Sequence, residues 1–404
     1  MCKFIMSISI LLLFIGYFLP GKADKEAVAS EHKWSAFKGN VARTGNLDNI
    51  PGPSTAKVRW SFRDEEYSAA FTSSPAVVNN RVYIGCDNDT LYCFDADSGE
   101  VLWKFETEYE VFSSPAVVDG KVYVGEGLHY TQDANFYCLD ADTGKLLWKF
   151  PTTSHTESSP AISDGKVYFG AGEDGVYCLD ASSGKKKWQF PGVHVDAAPL
   201  AIKNSVFFGV GYGQPSIYCL DADSGGKRWQ VEVNYPAWGP PAYADGKLYA
   251  GIGNGTFVKS ADDPAGEVLC LDADSGNILW RYSAQDSVNT TIAISDGRAY
   301  FGSRDGFLYC VDANSGELVW KFHVGEPVLS SPSVVGNQVY FGANDGIVYC
   351  LETSKGQMVW SFDVGGVTFL MDMVGGVISS PAISNGKIYV GSSNMAFYCF
   401  EVEE

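Results

Sequence analysis

Regularly spaced cysteines are the residues of this sequence that could do chemistry. Eight cysteines are each followed two positions later by Asp or Glu, and in seven cases a tryptophan stands ten positions after the cysteine. A thiol can form a disulfide, ligate a metal or serve as a small buried packing residue. The cysteines are Cys93, Cys138, Cys178, Cys219, Cys270, Cys310, Cys350 and Cys399. The tryptophans are Trp103, Trp148, Trp188, Trp229, Trp280, Trp320 and Trp360.

The regular spacing argues for a structural role of the thiols. Equivalent positions in neighbouring repeats should lie beyond the ~7 Å between Cα atoms that a disulfide tolerates, and a metal needs converging ligands. We therefore expect free, buried thiols and predict no metal, cofactor or catalytic residues among them. Cys86 and Cys93 flank one predicted hairpin, and their pairing is the alternative. Unpaired thiols fit an exported protein only where burial or a reducing habitat protects them.

The elements that position these residues are four short strands per repeat. In the second copy, "SSPAVVDG" predicts a strand and a turn, "KVYVG" and "FYCLD" predict two more strands, and "ADTG" is a tight turn before "KLLWKF". Glycine in such a turn can adopt φ > 0 and the aspartate can accept from the following N–H groups. A period of about 40 residues is typical of β-propeller blades. The sequence thus predicts an all-β, eight-bladed propeller of four-stranded antiparallel blades.

The two chain ends complete each other. The eighth copy stops at "FYCFEVEE" without a tryptophan strand, whereas "KVRWSFR" at 57–63 supplies such a strand with no blade before it. We predict that the Trp60 strand joins the last blade and closes the ring, which removes an open edge.

The repeat resembles the tryptophan-docking motif of the PQQ-like (quinoprotein-type) β-propeller family. The resemblance rests on the motif "C-x-D-x-x-[ST]-G-x-x-x-W", with cysteine where that family usually has alanine, and on the opening "WSAFKGNVARTG". The resemblance spans roughly Trp34 to Glu404. It departs from the motif at Glu352 and Lys355 in the seventh copy.

One face of the predicted ring varies while the other is uniform. From the glycine that ends the second strand to the cysteine, five copies count eight residues, but copies 2, 4 and 5 count thirteen, ten and nineteen. These insertions fall on the face where each blade connects to the next. Loops on a rigid scaffold are where binding usually resides. The candidate residues at this channel mouth are Phe112, His155, Glu157, His194, Asp196, Tyr235, Trp238, Asp286, Asn289, His323 and Leu329.

The N-terminus reads as an export signal. Lys3 precedes an apolar run that ends at Pro20, and Gly21 and Ala23 fit a cut after residue 23. The run is shorter than the ~20 residues of a spanning helix, so we expect no stable membrane span after cleavage. The expected domains are a signal peptide at 1–23, an extension at 24–56 and the propeller at 57–404. We expect an extracytoplasmic protein in the periplasm, at the cell surface or secreted.

Charge limits the partners. The net charge of −19 becomes −21 once the two lysines of the leader are removed. Such a field repels phosphate backbones, so we expect no nucleic acid partner.

Three functions remain open. The resemblance to the BamB-like, non-enzymatic branch implies an envelope scaffold, monomeric in our expectation, that binds an envelope or cell-surface protein. The resemblance to quinoprotein dehydrogenases implies PQQ with Ca²⁺, for which Asn254 matches the calcium-ligand asparagine. Asp286 lacks the family's Trp-Asp setting, and no two cysteines are adjacent. The third function is a small-molecule or glycan receptor that uses Trp238 as a stacking platform.

Overall fold

In the part of the chain that the structure describes, thirty-two strands form eight four-stranded antiparallel sheets, which confirms the predicted eight-bladed propeller. The computed structural model describes residues 35–66, 69–365 and 375–401. The predicted leader, Trp34 and most of the last blade connection lie outside these ranges. None of the described residues forms a helix that could span a bilayer.

The blades are numbered in chain order, and each runs from an innermost strand A to an outermost strand D. The A strands are β2 (Ala76–Val78), β6 (Ala116–Val118), β10 (Ala161–Ser163), β14 (Leu200–Ile202), β18 (Ala242–Ala244), β22 (Ala293–Ser295), β26 (Ser333–Val335) and β30 (Ala382–Ser384). The B strands are β3 (Arg81–Cys86), β7 (Lys121–Gly125), β11 (Lys166–Gly170), β15 (Ser205–Val210), β19 (Lys247–Gly253), β23 (Arg298–Gly302), β27 (Gln338–Gly342) and β31 (Lys387–Ser392). The C strands are β4 (Thr90–Asp95), β8 (Asn135–Asp140), β12 (Val176–Asp180), β16 (Ser216–Asp221), β20 (Gly266–Asp272), β24 (Phe307–Asp312), β28 (Ile347–Glu352) and β32 (Ala396–Glu401). The D strands are β5 (Val101–Glu106), β9 (Leu146–Pro151), β13 (Lys186–Phe190), β17 (Lys227–Glu232), β21 (Ile278–Ala284), β25 (Leu318–His323), β29 (Met358–Asp363) and, for blade 8, β1 (Lys57–Phe62).

The ring closes where the sequence predicts. Strand β1 pairs antiparallel with β32, and Trp60 lies opposite Cys399. The innermost strands of neighbouring blades contact one another, and β30 contacts β2, which joins blade 8 to blade 1. The chain's first strand and last strand therefore share one sheet.

Each repeated cysteine lies in register between two aromatic residues. In blade 2, Tyr123 on β7 pairs with Cys138 on β8, and Cys138 pairs with Trp148 on β9. The rings of Tyr123 and Trp148 approach to 6.0 Å between centroids over the small thiol. All nine described cysteines are buried, and none of them, Cys86 and Cys93 included, lies in a disulfide. A small side chain is needed because two large rings must meet above it.

Each outer tryptophan fastens its blade to the following one. Trp103 donates from Nε1 to the carbonyl oxygen of Ala141 in the next blade at 3.1 Å, and Tyr83 Oη donates to the same oxygen. The indole also covers Gly144, whose φ is +69° and where an added Cβ would lie 2.7 Å from the ring. The glycine of the "D-x-x-[ST]-G" turn is thus required both by its backbone conformation and by the indole above it.

Blade 8 lacks a C–D turn because its D strand comes from the other end of the chain. The indole of Trp360 in blade 7 instead donates to the carbonyl oxygen of Pro53, just before β1, at 2.9 Å. Tyr340 Oη contacts the same oxygen at 3.4 Å. The chain before β1 therefore replaces the missing turn.

Residues 35–46 lie inside the ring and cap the innermost strands. Backbone N–H groups in the A strands of blades 3, 5, 6, 7 and 8 donate to carbonyl oxygens of this segment at 2.7–3.2 Å. The acceptor carbonyls belong to Ser35, Val41, Ala42, Thr44 and Gly45. Innermost strands that would otherwise present unpaired N–H groups to the channel are satisfied in this way.

Two buried cations hold this segment in place. Lys38 Nζ donates to the carbonyl oxygens of Ser331 and Pro332 at 2.9 Å. Arg43 donates to the carbonyl oxygens of Phe37, Pro199 and Pro241 at 2.7–3.2 Å. Burial lowers the pKa of Lys38 well below its usual value, with the charge of Arg43 as the second cause. Burial also lowers the pKa of Arg43 to about 9.

Candidate functional site

The three inserted loops lie on one face of the ring and expose apolar side chains. Tyr130 in blade 2 is 56% exposed and Tyr212 in blade 4 is 54% exposed. In blade 5, Phe257 and Val258 are 45% and 41% exposed. We call the surface formed by the loops 126–134, 211–215 and 254–265 the loop face.

The blade 5 loop is held by the neighbouring blade. Arg304, which follows β23 in blade 6, donates to the carbonyl oxygens of Phe257 at 3.0 Å and Val258 at 3.4 Å. Asp286 accepts from Ser260 within the loop. The exposed side chains of this loop are thus presented by a fastened backbone.

A cavity of about 280 Å³ opens within the loop face. Its walls come from the blade connections, from Phe37 of the inner segment and from the loops of blades 2 and 5, through Leu128, His129, Phe257 and Val258. Around it, Ser74 N donates to Ser114 Oγ, and Ser114 N donates to Ser159 Oγ, at 2.9 Å each. The lining combines aromatic rings with hydroxyl, amide and carboxylate groups, as ligand pockets usually do.

The predicted channel-mouth residues divide into three groups. Those that line the cavity are Phe112, Glu157, Asp196, Trp238, Asn289 and Leu329. Two residues are not part of this lining but contact Asp196, and these are His155 and His194. Those outside the lining are Tyr235, which packs against a hydrophobic cluster, Asp286, and His323, which is exposed beside Phe307.

Asn254 and Asp286 do not fit a calcium and PQQ site. Asn254 Nδ2 donates to the carbonyl oxygen of Asp263 at 2.7 Å, and its Oδ1 accepts from Ala265 N at 2.8 Å. Asp286 Oδ1 accepts from Ser287 N at 2.6 Å. Both side chains are engaged in holding the blade 5 loop, and neither lines the cavity.

Aromatic rings connect the blade 4 loop to the cavity wall. The ring of Tyr212 lies edge-on to Trp238 at 4.8 Å and to His194 at 4.4 Å. An added Cβ on Gly211 would lie 2.3 Å from the indole of Trp238. The indole is therefore fixed against the loop backbone, with part of its surface on the cavity.

Two histidines converge on one carboxylate oxygen. His155 Nε2 and His194 Nε2 lie 2.9 Å and 2.8 Å from Asp196 Oδ1. On its other side, His194 Nδ1 lies 2.9 Å from Glu173 Oε1. Burial alone would lower the pKa of His194, but Asp196 and Glu173 together raise it to about 9. Burial would raise the pKa of Asp196, yet the two imidazoles hold it below its usual value.

Glu157 lies beside this group. Burial raises the pKa of its carboxyl to about 8, and the neighbouring charge of Asp196 acts in the same direction. Its Oε2 has no hydrogen-bond partner in the described part of the chain. The cavity wall thus contains a buried carboxyl group, one oxygen of which has no hydrogen-bond partner in the described residues.

The family model described as outer membrane protein assembly factor BamB matches residues 51–127, 125–209 and 264–399. The chain belongs to this BamB family of PQQ-like propellers. No curated protein matches the chain by sequence.

Solved structures include both enzymes and a BamB protein. BamB from Moraxella catarrhalis is 20% identical with a TM-score of 0.67, over 85% of this chain and 97% of that one. A quinohemoprotein alcohol dehydrogenase from Comamonas testosteroni is 16% identical with a TM-score of 0.71, over 93% and 81%. The computationally designed Ika8 protein is 17% identical with a TM-score of 0.68, over 87% and 99%. At these identities the likeness to solved structures establishes the fold alone.

Two features of this BamB-family propeller could not be predicted from the sequence. From the sequence, the inner segment 35–46 is expected to be part of an extension. Its capping of the ring uses backbone carbonyl groups, which every residue carries and which the composition therefore does not reveal. The convergence of His155, His194 and Asp196 was not found either, since the two histidines belong to different blade connections. The signal available was the pair of polar residues His194 and Asp196, one repeat after His155.

Proposed function

We propose that this BamB-family propeller is an exported, non-catalytic scaffold that binds an envelope or cell-surface protein through its loop face. The observation that carries the proposal is the concentration of three insertions on one face, each with an exposed apolar side chain. Tyr130, Tyr212 and Phe257 come from three different blades. Phe257 lines the cavity, and the ring of Tyr212 contacts Trp238 in the cavity wall.

The chemistry of this surface suits a polypeptide partner. Tyrosine and phenylalanine are enriched at protein interfaces, and tyrosine is frequent among the few residues that carry most of the binding energy. The rim around them carries the polar groups Glu110 and Glu173, which would give specificity and solubility. The ring beneath supplies rigidity, so the loops lose little freedom on binding.

The arrangement of the chemically reactive groups also favours a scaffold over a dehydrogenase. Asn254, the candidate calcium ligand, uses both side-chain atoms within its own loop. The cysteines are buried between aromatic rings, and burial raises the pKa of Cys219 and of Cys270 to about 11, which suppresses the nucleophilic thiolate.

The test compares two triple variants in affinity capture from envelope extract of the native host. Tyr130→Ser, Tyr212→Ser and Phe257→Ser remove the apolar groups of the loop face. A matched control, with Leu102→Ser, Leu279→Ser and Met358→Ser, removes equally exposed apolar groups from outer strands. We expect a partner retained by the native chain and the control to be lost by the loop-face variant. A partner retained equally by both variants would contradict the proposal.

A small-molecule or glycan receptor is the second candidate. It is favoured by Asn289, which is 2% exposed, lines the cavity and has both amide atoms without a partner in the described chain. Together with the indole of Trp238, this amide could orient a sugar or an aromatic ligand. Saturable quenching of tryptophan fluorescence that Asn289→Ala abolishes would support this function.

A further inference from the structure

A cluster of three donors lies on the wall of the cavity. One ring nitrogen each of His155 and His194 and a carboxylate oxygen of Asp196 all lie within 4.8 Å of one another. His155 is 2% exposed, whereas the side chains of His194 and Asp196 are 10% and 15% exposed. The three side chains are thus largely buried, and a metal ion could reach them from the cavity because Asp196 lines it.

The nitrogen–oxygen distances in this cluster are close to those between the donors of a coordination shell. Donors on a tetrahedral zinc lie ~3.3 Å apart, given metal–donor bonds of about 2.0–2.2 Å. The two nitrogens lie 2.9 Å and 2.8 Å from Asp196 Oδ1, so each nitrogen would need to move away from that oxygen by only about half an ångström to admit an ion.

The orientation of His194 also leaves its Nε2 available to a metal ion. Its Nε2 is buried and makes no aligned hydrogen bond within the described chain, although Asp196 Oδ1 is only 2.8 Å away. The short contact is thus out of line with a hydrogen bond, and a metal that binds here displaces the proton that His194 carries in its charged form.

Both imidazoles are oriented by an oxygen on the far side of the ring. Glu173 Oε1 lies 2.9 Å from His194 Nδ1, and Ser154 Oγ lies 3.3 Å from His155 Nδ1. Metal-ligating histidines usually donate the other ring N–H to a carboxylate or similar acceptor, which leaves Nε2 free to ligate.

We propose that His155, His194 and Asp196 form a binding site for a divalent transition metal such as Zn²⁺. Two imidazoles and one carboxylate favour zinc, nickel or copper over calcium, which prefers oxygen ligands only. Glu157, whose Oε2 has no partner in the described residues, stands beside the cluster as a further oxygen donor. The site does not depend on the docking role proposed above.

The test is a Zn²⁺ titration of the full chain without a histidine tag, by competition with a chromophoric chelator. We expect one tight site in the native protein. His155→Gln, His194→Gln and Asp196→Asn should each weaken binding by about 100-fold or more, and Glu173→Gln by about 10-fold, in line with outer-shell effects. His129→Gln is the matched control, because His129 lines the same cavity outside the cluster, and it should leave the affinity unchanged.

X-ray absorption of the zinc-loaded native chain keeps the test independent of how well the variants fold. We expect imidazole nitrogen and oxygen in the shell of the metal. The proposal is overturned if the native chain binds no Zn²⁺, if the three ligand variants bind as tightly as His129→Gln, or if sulfur from the cysteines dominates the shell.

Discussion

The indole Nε1 of Trp360 donates a 2.9 Å hydrogen bond to the carbonyl oxygen of Pro53, a residue 307 positions earlier in the chain. Seven other tryptophans make this bond to a turn within the following blade, as Trp320 does to Thr353. Blade 8 has no such turn, and the chain leading into β1 supplies the acceptor. The N-terminal segment therefore completes the ring twice, once with a strand and once with a carbonyl.

The first prediction concerns the segment inside the ring. Arg43→Ala should lower the free energy of unfolding by about 3 kcal/mol or more, because it leaves the buried carbonyl groups of Phe37, Pro199 and Pro241 without a donor. Urea unfolding followed by tryptophan fluorescence measures the loss. Lys104→Ala, at an exposed position of β5, is the control and should change stability by less than about 0.5 kcal/mol. Equal effects of the two variants would contradict a structural role for the segment.

The second prediction concerns the buried thiols and alkaline pH. Burial raises the pKa of Cys219 and Cys270 to about 11, and that of Cys138 and Cys350 to about 12. An unfolded thiol titrates near 8.5. Above that pH the unfolded chain releases protons that the folded chain retains, so stability should fall by about 1.4 kcal/mol per pH unit for each thiol until the folded pKa is reached.

Urea unfolding between pH 8 and pH 10 measures this slope. Cys270→Ala should reduce it by about one proton, because alanine removes one titrating group from the unfolded chain. Native alkylation should also be much slower than alkylation in urea. A slope that stays the same in Cys270→Ala would show that this thiol does not have a raised pKa in the folded state.

The third prediction concerns a buried carboxylate in blade 2. Glu126 is 0% exposed and accepts from the backbone of Glu108 and Asn135 and from Tyr137 Oη at 2.8 Å each. Glu126→Ala should cost about 3 kcal/mol or more since several buried donors lose their acceptor. Glu126→Gln keeps one carbonyl acceptor and should cost less. Thermal unfolding ranks the two, and the reverse order would contradict this account of the site.

The fourth prediction concerns the glycine under each indole. Gly144→Ala should destabilise by about 2 kcal/mol or more, because φ is +69° and the new Cβ would meet the indole of Trp103 at 2.7 Å. Gly226→Ala is the control: its φ lies outside the left-handed range, and the nearest atom to an added Cβ is Ser224 Oγ at 3.2 Å. Calorimetry compares the two, and a similar change in both would remove the proposed role of the indole.

Sequence predicts the scaffold well because each blade repeats the same local information. The Cys–Trp spacing determines register, and the incomplete copies at the two ends determine closure at Trp60, as β1 and β32 confirm. The capping by residues 35–46 could not be predicted, since it uses backbone carbonyl groups that any residue carries. The site was predicted only as a set of residues at one mouth. The short contacts of His155 and His194 with Asp196 depend on the exact angle between two blades, which no local pattern encodes.

Site-specific photo-crosslinking in the native host tests the central claim most directly, which is that the loop face binds a protein. A photoreactive residue would replace Tyr212 on the loop face, and in a second strain Leu279 on the outer strand β21, two side chains of about equal exposure at 54% and 50%. We expect a discrete crosslinked protein from position 212 and none from position 279. Crosslinks at position 279 alone, or at neither position, would contradict it.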